Sequence, residues 1–238
     1  ELLEKAEKEY GVPAHIIVAI IGVETYYGRH KGTYKVIEAL STLGFGYPKR
    51  SKFFRGQIKE FLLMTREEQR DPLEFLGSYA GAMGMPQFIP SSFRHYAVDF
   101  DKDGRRDLWN NHADIIGSVA NYFHRHKWKA GEPVTSRAEV KGEAAERLAS
   151  KKVKLNISIK KLKDVGVTPQ MKLNEQEAML LALQSGEEQK EYWVGLHNFY
   201  VITRYNRSPL YAMAVHQLSE AIRSSRAAAL RKAARKAG

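Results

Sequence analysis

The sequence predicts an α+β chain, mainly α, with a helical core, an EF-hand-like metal loop and a small inserted β subdomain. Three observations predict it. Residues 13–28 hold a largely apolar run between Pro13 and Gly28, in which Ile16, Ile17, Ile20, Ile21 and Val23 leave little room for a polar face; a helix of that kind is buried nearly all round. Asp99, Asp101 and Asp103, followed by Gly104, have the spacing that opens an EF-hand calcium loop. From residue 134 to about 196 the texture shifts to alternating residues and turn signals, which is the pattern of half-buried strands.

Taken in order, residues 1–10 read as a charged helix leading into the apolar one. A short helix follows over 38–43, and Gly44-Phe45-Gly46-Tyr47-Pro48 is a break with Lys49 and Arg50 after it. Ser51 suits the cap of a long amphipathic helix to about residue 70, with Phe54, Ile58, Phe61 and Leu62 on one face. Pro72 restarts a helical turn to Leu76. Residues 77–92 are too rich in glycine and proline for a regular element, and glycine lets backbone approach a ligand or another segment closely. Gln87 needs a partner there if it is buried, in a cleft or in a tight packing turn bonded to nearby backbone. A helix over 113–126 carries Ile115, Ile116, Val119 and Phe123; His124 and His126 lack metal-ligand spacing and read as surface residues. Gly131-Glu132-Pro133 marks a boundary. Strict alternation over 152–160 predicts a strand and 161–165 a short helix. The turn Ser185-Gly186-Glu187 before Tyr192-Trp193-Val194 fits a hairpin, although 175–184 has helix-forming composition. Helices return over 196–205 and after Ser208, which caps the last helix with Pro209 as its first residue and Met213, Leu218 and Ile222 inward. The expected division is a core over 1–130 with the metal loop at 99–114, a β subdomain over 131–195, helices over 196–226 that complete the core, and a basic tail over 227–238.

Composition narrows the function classes. The 238 residues are 43% hydrophobic and 27% charged, ordinary for a globular protein and unlike a disordered one. The apolar run at 16–23 is too short to cross a bilayer. No signal peptide opens the chain, so the sequence fits either a cytoplasmic protein or one whose export segment has been removed. Without cysteine there are no disulfides. The net charge of +11 is concentrated in six lysines over 151–163 and six basic residues over 223–236. Such an excess suits nucleic acid, a membrane surface or an acidic wall polymer; the alternative is a solvated surface and a frayed tail. No aromatics interleave with the tail's cations, which weakens a single-stranded nucleic-acid reading.

Three stretches carry chemistry. Glu24 lies one helical turn beyond Ile20 and Ile21 on their side of the helix. Lost hydration there raises a carboxylate's pKa and makes a proton donor near neutral pH. The alternative is a helix-end Glu that reaches solvent or pairs with Arg29. In the acidic loop, Arg105 at the seventh position would give its carbonyl, while Asn110 replaces the usual final Glu, which departs from a standard hand; Asp114, at the start of the next helix, could close the shell instead. Carboxylates this dense need a counter-ion, although a solvated acidic turn is the alternative. Tyr205, Asn206 and Tyr211 frame a break whose residue mix suits either a carbohydrate cleft or a packed turn.

Together, Gly22-Val23-Glu24-Thr25, Gly81-Ala82-Met83-Gly84 with Gln87-Phe88, the acidic loop, and Arg204-Tyr205-Asn206 closely resemble the lytic transglycosylase B family, soluble or membrane-bound, which cleaves bacterial peptidoglycan. Tyr47-Pro48-Lys49-Arg50 and residues 118–123 extend the resemblance over nearly the whole chain; family members carry further helical sequence before its first residue. The resemblance implies a lysozyme-like fold, with Glu24 as the single catalytic acid and Ser78, Gln87, Tyr205, Asn206 and Tyr211 lining the cleft, Tyr211 holding Glu24. Lys49 and Arg50 would meet the stem peptide, and Tyr27 replaces a usual Trp. It implies a lyase that cuts the MurNAc–GlcNAc β-1,4 bond without water and leaves 1,6-anhydroMurNAc ends. One structural calcium would sit on Asp99, Asp101, Asp103, Asp114 and the Arg105 carbonyl, with no organic cofactor. The partners implied are peptidoglycan glycan strands and not nucleic acid, for a monomer without a transmembrane segment, periplasmic or outer-membrane associated.

Overall fold

Burial explains the first unit before topology does. In a computed structural model that describes residues 1–149, 153–186 and 189–237, contacts within the chain cluster into two units, residues 1–125 and 126–238. The apolar helix is α2, Ala14–Thr25, and it follows α1, Leu2–Tyr10. Ile16, Ile17 and Ile20 on α2 are almost wholly buried, worth about 1.5–3 kcal/mol each. Pro13 is the residue before α2, and the helix stops at Thr25, three residues earlier than a Gly28 stop would give. Tyr26 and Tyr27 supply the left-handed turn themselves, with φ of 50° and 59°.

The remaining elements of this unit are β1 (Tyr34–Lys35), α3 (Val36–Gly46), a 3₁₀ turn (Pro48–Arg50), α4 (Ser51–Glu67), β2 (Leu76–Gly77), α5 (Pro90–Tyr96) and α6 (His112–Arg125). α6 packs on α1, α2 and α5, while α4 packs on α3 and α5. Four local expectations are corrected. α3 runs through the anticipated break to Gly46. Ser51 does not cap α4, because its hydroxyl donates back to the Gly44 carbonyl at 2.5 Å and satisfies the end of α3. On α4, Phe54 and Phe61 are buried as expected, but Gln57, Met64 and Thr65 join them while Leu62 is 47% exposed. No helical turn forms after Pro72: Asp71 accepts from Leu73 N through its carboxylate and from Glu74 N through its carbonyl, and the chain then pairs β2 with β1.

The second unit holds a five-stranded antiparallel sheet in the order β4-β6-β7-β3-β5. Its strands are β3 (Thr135–Val140), β4 (Ile157–Ser158), β5 (Val167–Pro169), β6 (Glu177–Ser185) and β7 (Gln189–Gly195), with α7 (Glu143–Leu148) and α8 (Ile159–Asp164) between them. β6 and β7 form the expected hairpin, Ser185 opposite Gln189; Glu187 of its turn lies outside the described residues. The strand expected over 152–160 shrinks to Ile157–Ser158, and Lys151 and Lys152 lie outside the described residues. Ser158 decides this: its hydroxyl accepts from Lys161 N and starts α8, so Ile159 and Leu162 pack at helical spacing. Ala145, Ile157, Leu162, Leu180 and Val194 close the core of this sheet. α9 (His197–Tyr205) and α10 (Pro209–Ala237) follow, and Tyr211 N donates to the Ser208 hydroxyl at 3.3 Å as the capping sequence predicts.

Candidate active site

Glu24 stands at the penultimate position of α2, half-buried, one turn beyond the buried Ile20 and Ile21. Around it the chain is fixed by its neighbour. Thr25 is 1% exposed; its hydroxyl lies 2.9 Å from the Met85 carbonyl and 3.3 Å from the Ile21 carbonyl, and accepts from Gly28 N at 3.1 Å. One side chain therefore ties the end of the Glu24 helix to the glycine-rich loop. Sequence reasoning quoted Thr25 as part of a motif and gave it no task; a hydroxyl at the end of an apolar helix, where carbonyls lack partners, was the available signal.

The left-handed turn turns two tyrosines outward. Tyr26 and Tyr27 are 54% and 48% exposed. Tyr26 stacks on His30 and carries the Arg29 guanidinium 4.8 Å from its ring centre. The Tyr27 ring lies back over Gly22, where an added Cβ would come within 2.8 Å of it. Gly22 thus keeps a flat aromatic face two residues from the carboxylate, the kind of surface on which a sugar ring packs.

The loop over residues 77–88 folds on its own backbone. Ser78 Oγ accepts from Ala80 N at 3.3 Å and Ala82 N at 3.0 Å, while Ser78 N donates to the Ala82 carbonyl. Met83 bridges to both Gly77 and Phe88. Gln87, at φ 51°, donates its amide to the carbonyls of Gly84 (2.9 Å) and Lys31 (3.2 Å). Both donations fix which amide atom is nitrogen and leave Oε1 as the group turned from those carbonyls. Glycine is required where backbone meets backbone: a Cβ on Gly32, at φ +90°, would lie 2.1 Å from the Gly77 carbonyl carbon and oxygen.

The acidic loop supports the same region. Asp99, Asp101 and Asp114 bring carboxylate oxygens within 4.8 Å of one another. Asp114, fully buried, accepts from Phe100 N and Asp107 N, both at 2.8 Å. Burial pushes its carboxyl up, with Asp101 and Asp99 adding to the rise and the two backbone donors opposing it. Hard oxygen donors of like charge at this separation fit a calcium ion. Asp103 lies outside that trio, and its carboxylate accepts from Arg105 N at 2.9 Å. The loop's exit is bonded to the glycine loop and the segments beside it: Met85 N donates to the Leu108 carbonyl (2.8 Å), Lys31 Nζ to the Trp109 carbonyl (2.9 Å), and Trp109 Nε1 to the Leu76 carbonyl (2.8 Å). A polar cavity of about 700 Å³ lies beside this loop and not at Glu24; its lining includes Glu68 and Arg106, which pair with each other.

Lys49 and Arg50 sit exposed on the 3₁₀ turn, with Arg50 over the rings of Phe53 (4.5 Å) and Phe54 (5.1 Å). In the second unit, Tyr205 ends α9, Asn206 accepts from Ser208 N at 3.2 Å, and Tyr211 lies in the first turn of α10. The expected site residues thus divide between the two units: Glu24, Lys49, Arg50, Ser78, Gln87 and the acidic loop in the first, and Tyr205, Asn206 and Tyr211 in the second.

Helices around a half-buried Glu, with a separate curled sheet, define a lysozyme-like protein of the lytic transglycosylase type. The chain belongs to the Transglycosylase SLT domain family, whose model matches residues 1–220. It is 50% identical over 227 residues to membrane-bound lytic murein transglycosylase B of Escherichia coli K12, covering 95% of this chain and 61% of that protein. Among solved structures, soluble lytic transglycosylase SltB1 from Pseudomonas aeruginosa superposes with a TM-score of 0.91 at 55% identity, over 95% of this chain and 75% of that one. Escherichia coli lytic transglycosylase Slt35 in complex with calcium gives 0.88 at 50%, over 95% and 71%. The chain spans about three fifths of the length of the curated relative.

Proposed function

We propose that this chain cleaves the MurNAc–GlcNAc β-1,4 bond of peptidoglycan without water, leaving 1,6-anhydroMurNAc ends, with Glu24 as acid and then base. The observation that carries the reading is the position of Glu24: one carboxylate, half-buried at the end of a buried apolar helix and next to two exposed tyrosines. A neutral Glu24 donates its proton to the glycosidic oxygen as the C1–O bond breaks, and the GlcNAc side leaves as an alcohol. The carboxylate then removes the proton of the C6 hydroxyl of the same MurNAc, whose oxygen bonds to C1. Proton and electron pairs balance with no water consumed. Hydrolysis by retaining or inverting enzymes needs a second carboxylate beside the bond. Seven other acids of the first unit are engaged: Glu60 and Glu67 with Arg94, Glu68 with Arg106, Glu74 with Arg70, and Asp99, Asp101 and Asp114 in the acidic loop.

The same reading assigns cleft contacts with the sugar to Ser78, Gln87, Tyr205, Asn206 and Tyr211, with Tyr211 also holding Glu24, and stem-peptide contacts to Lys49 and Arg50. Calcium on Asp99, Asp101, Asp114, Asp103 and the Arg105 carbonyl, as in an EF-hand-like loop, neutralises the cluster and stiffens the Leu108–Trp109 link. The complex of Slt35 with calcium supports this. The site of action is the wall, in the periplasm or at the outer membrane, and the working form is a monomer. No helix among the described residues is long and apolar enough to cross a membrane.

Mass spectrometry of digested wall tests the reaction. Products lighter by one water than the reducing-end muropeptides are expected. Glu24→Gln is expected to lower the rate by roughly a thousandfold or more while wall binding persists. Products carrying added water, or full activity in Glu24→Gln, overturn the assignment.

A further inference from the structure

The last helix continues past the family's matched span, which ends at residue 220, as far as Ala237. Residues 223–236 are exposed without exception. At about 1.5 Å per residue the stretch is about 20 Å long. Its composition explains why it is helical although its side chains are exposed: Ala227, Ala228, Ala229, Ala233 and Ala234 are the best helix formers, and Arg235 and Lys236 in the last turn suit the helix dipole. Arg223 pairs with Glu220. Beyond that pair come Arg226, Arg231, Lys232, Arg235 and Lys236, and no acidic residue follows Glu220 in the sequence. A solvated helix ordinarily mixes both signs; here Arg231 faces Arg235 and Lys232 faces Lys236 at i,i+4, each pair a small cost. The stretch for which a frayed tail was the alternative is a helix of one charge sign.

The pattern of charge selects among anions. Arg231, Lys232, Arg235 and Lys236 share one side of the helix, within an arc of about 140°, and the other side carries alanines, Arg226 and one leucine, Leu230, too little apolar surface to sink into a bilayer interface. It has no aromatic residue to stack on a base. What it offers is an exposed row of guanidinium and ammonium groups along a rod, and its arginines grip carboxylates with two parallel bonds. Peptidoglycan presents such carboxylates along its stem peptides, in a mesh that can surround a rod.

We propose that residues 223–236 form an electrostatic arm that holds the enzyme on the carboxylates of peptidoglycan stem peptides, apart from the site that cuts the glycan. This rests on the wall-cleaving reading above. The arm raises the local concentration of cuttable strands and leaves chemistry at Glu24 untouched.

The test uses the full chain with Arg226, Arg231, Lys232, Arg235 and Lys236 all changed to Gln, a substitution that keeps helix propensity. Binding is measured by co-sedimentation with insoluble wall sacculi in the Glu24→Gln background, so that nothing is digested. Roughly tenfold weaker binding at low salt and a flatter salt dependence are expected. The parent chain is expected to lose binding by a similar factor on sacculi whose carboxylates have been converted to amides. In the Glu24 form, turnover of a small soluble muropeptide is expected to stay within about twofold of the parent. Unchanged sacculus binding by the Gln variant overturns the proposal, as does undiminished binding of the parent to amidated sacculi. Stronger capture of the parent by anionic vesicles or duplex DNA than by sacculi also overturns it and reassigns the arm. If neither protein turns over the muropeptide, the transglycosylase reading fails, while the sedimentation result still judges the arm.

Discussion

Thr25 shows how a residue beside the proposed acid, Glu24, can matter as much as its own bonds allow. Its buried hydroxyl serves Met85 O and Gly28 N, and Val in its place would keep the shape and leave a carbonyl and an amide without that partner. We expect Thr25→Val to cost about 1–3 kcal/mol of stability. We further expect kcat to fall with KM nearly unchanged, because the helix end that carries Glu24 loosens while sugar contacts remain. Thr25→Ser, which restores the hydroxyl, is expected to recover most of both; denaturant titration and steady-state kinetics check the pair. The place of Glu24 at the end of a buried helix was legible because its apolar run is local in sequence. Thr25's task was not, because its partner Met85 lies sixty residues on, and neither residue type announces the bond.

Elements were legible where one signal ruled and misread where two competed. The alternation over 152–160 pointed to a strand, but Ser158 is also an N-cap, and capping won because Leu162 gains full burial in α8. Ser51 was read as a cap by type, yet Arg50 holds the cap position of α4 and the Ser51 hydroxyl donates to the Gly44 carbonyl near the end of α3. The order of the five strands was beyond reach, since it depends on pairings such as Val140 with Val167 that no local pattern marks. Glycines divide in the same way, and two substitutions separate them. Gly32→Ala drives a Cβ into the Gly77 carbonyl at positive φ. A loss of about 2–4 kcal/mol and a Tm lower by roughly 5–15 °C are expected in thermal melts. Gly104→Ala, with φ +91° and nothing within 4 Å, meets only the backbone penalty of about 1–2 kcal/mol. Where α1 meets α6, the Tyr10 ring lies near Phe100 and His124, and burial pushes its phenol up to about 12, with Glu9 adding to the rise. The unfolded chain gives up that proton near 10, so Tyr10's contribution is complete below pH 10 and is lost as pH rises to about 12. Alkaline melts of the parent are expected to fall more steeply than those of Tyr10→Phe.

At the scale of the whole molecule, each of the two units has its own core, so a ligand of one should mark one unfolding event more than the other. The acidic loop belongs to the first unit, and its exit holds the glycine loop through Leu108, Trp109 and Lys31. Without a cation, three carboxylates stand within 4.8 Å of one another, one of them fully buried. A cation that binds only the folded loop stabilises it by about 2.7 kcal/mol at a hundredfold excess over Kd, which is roughly 5–10 °C in Tm. Calorimetry in calcium and in chelator is expected to show that rise in the transition of the first unit. Asp99→Asn with Asp101→Asn should abolish it, since two of the three gathered ligands are then neutral. In the mechanism proposed above the proton transfers at Glu24 involve no metal, so the chelated chain should still cleave muropeptides below its lowered Tm. A chelated protein that keeps its helical spectrum and its melting transition yet cleaves nothing would show that the ion shapes the working site beyond holding the loop together. Equal melts in calcium and chelator would leave the acidic loop a solvated turn.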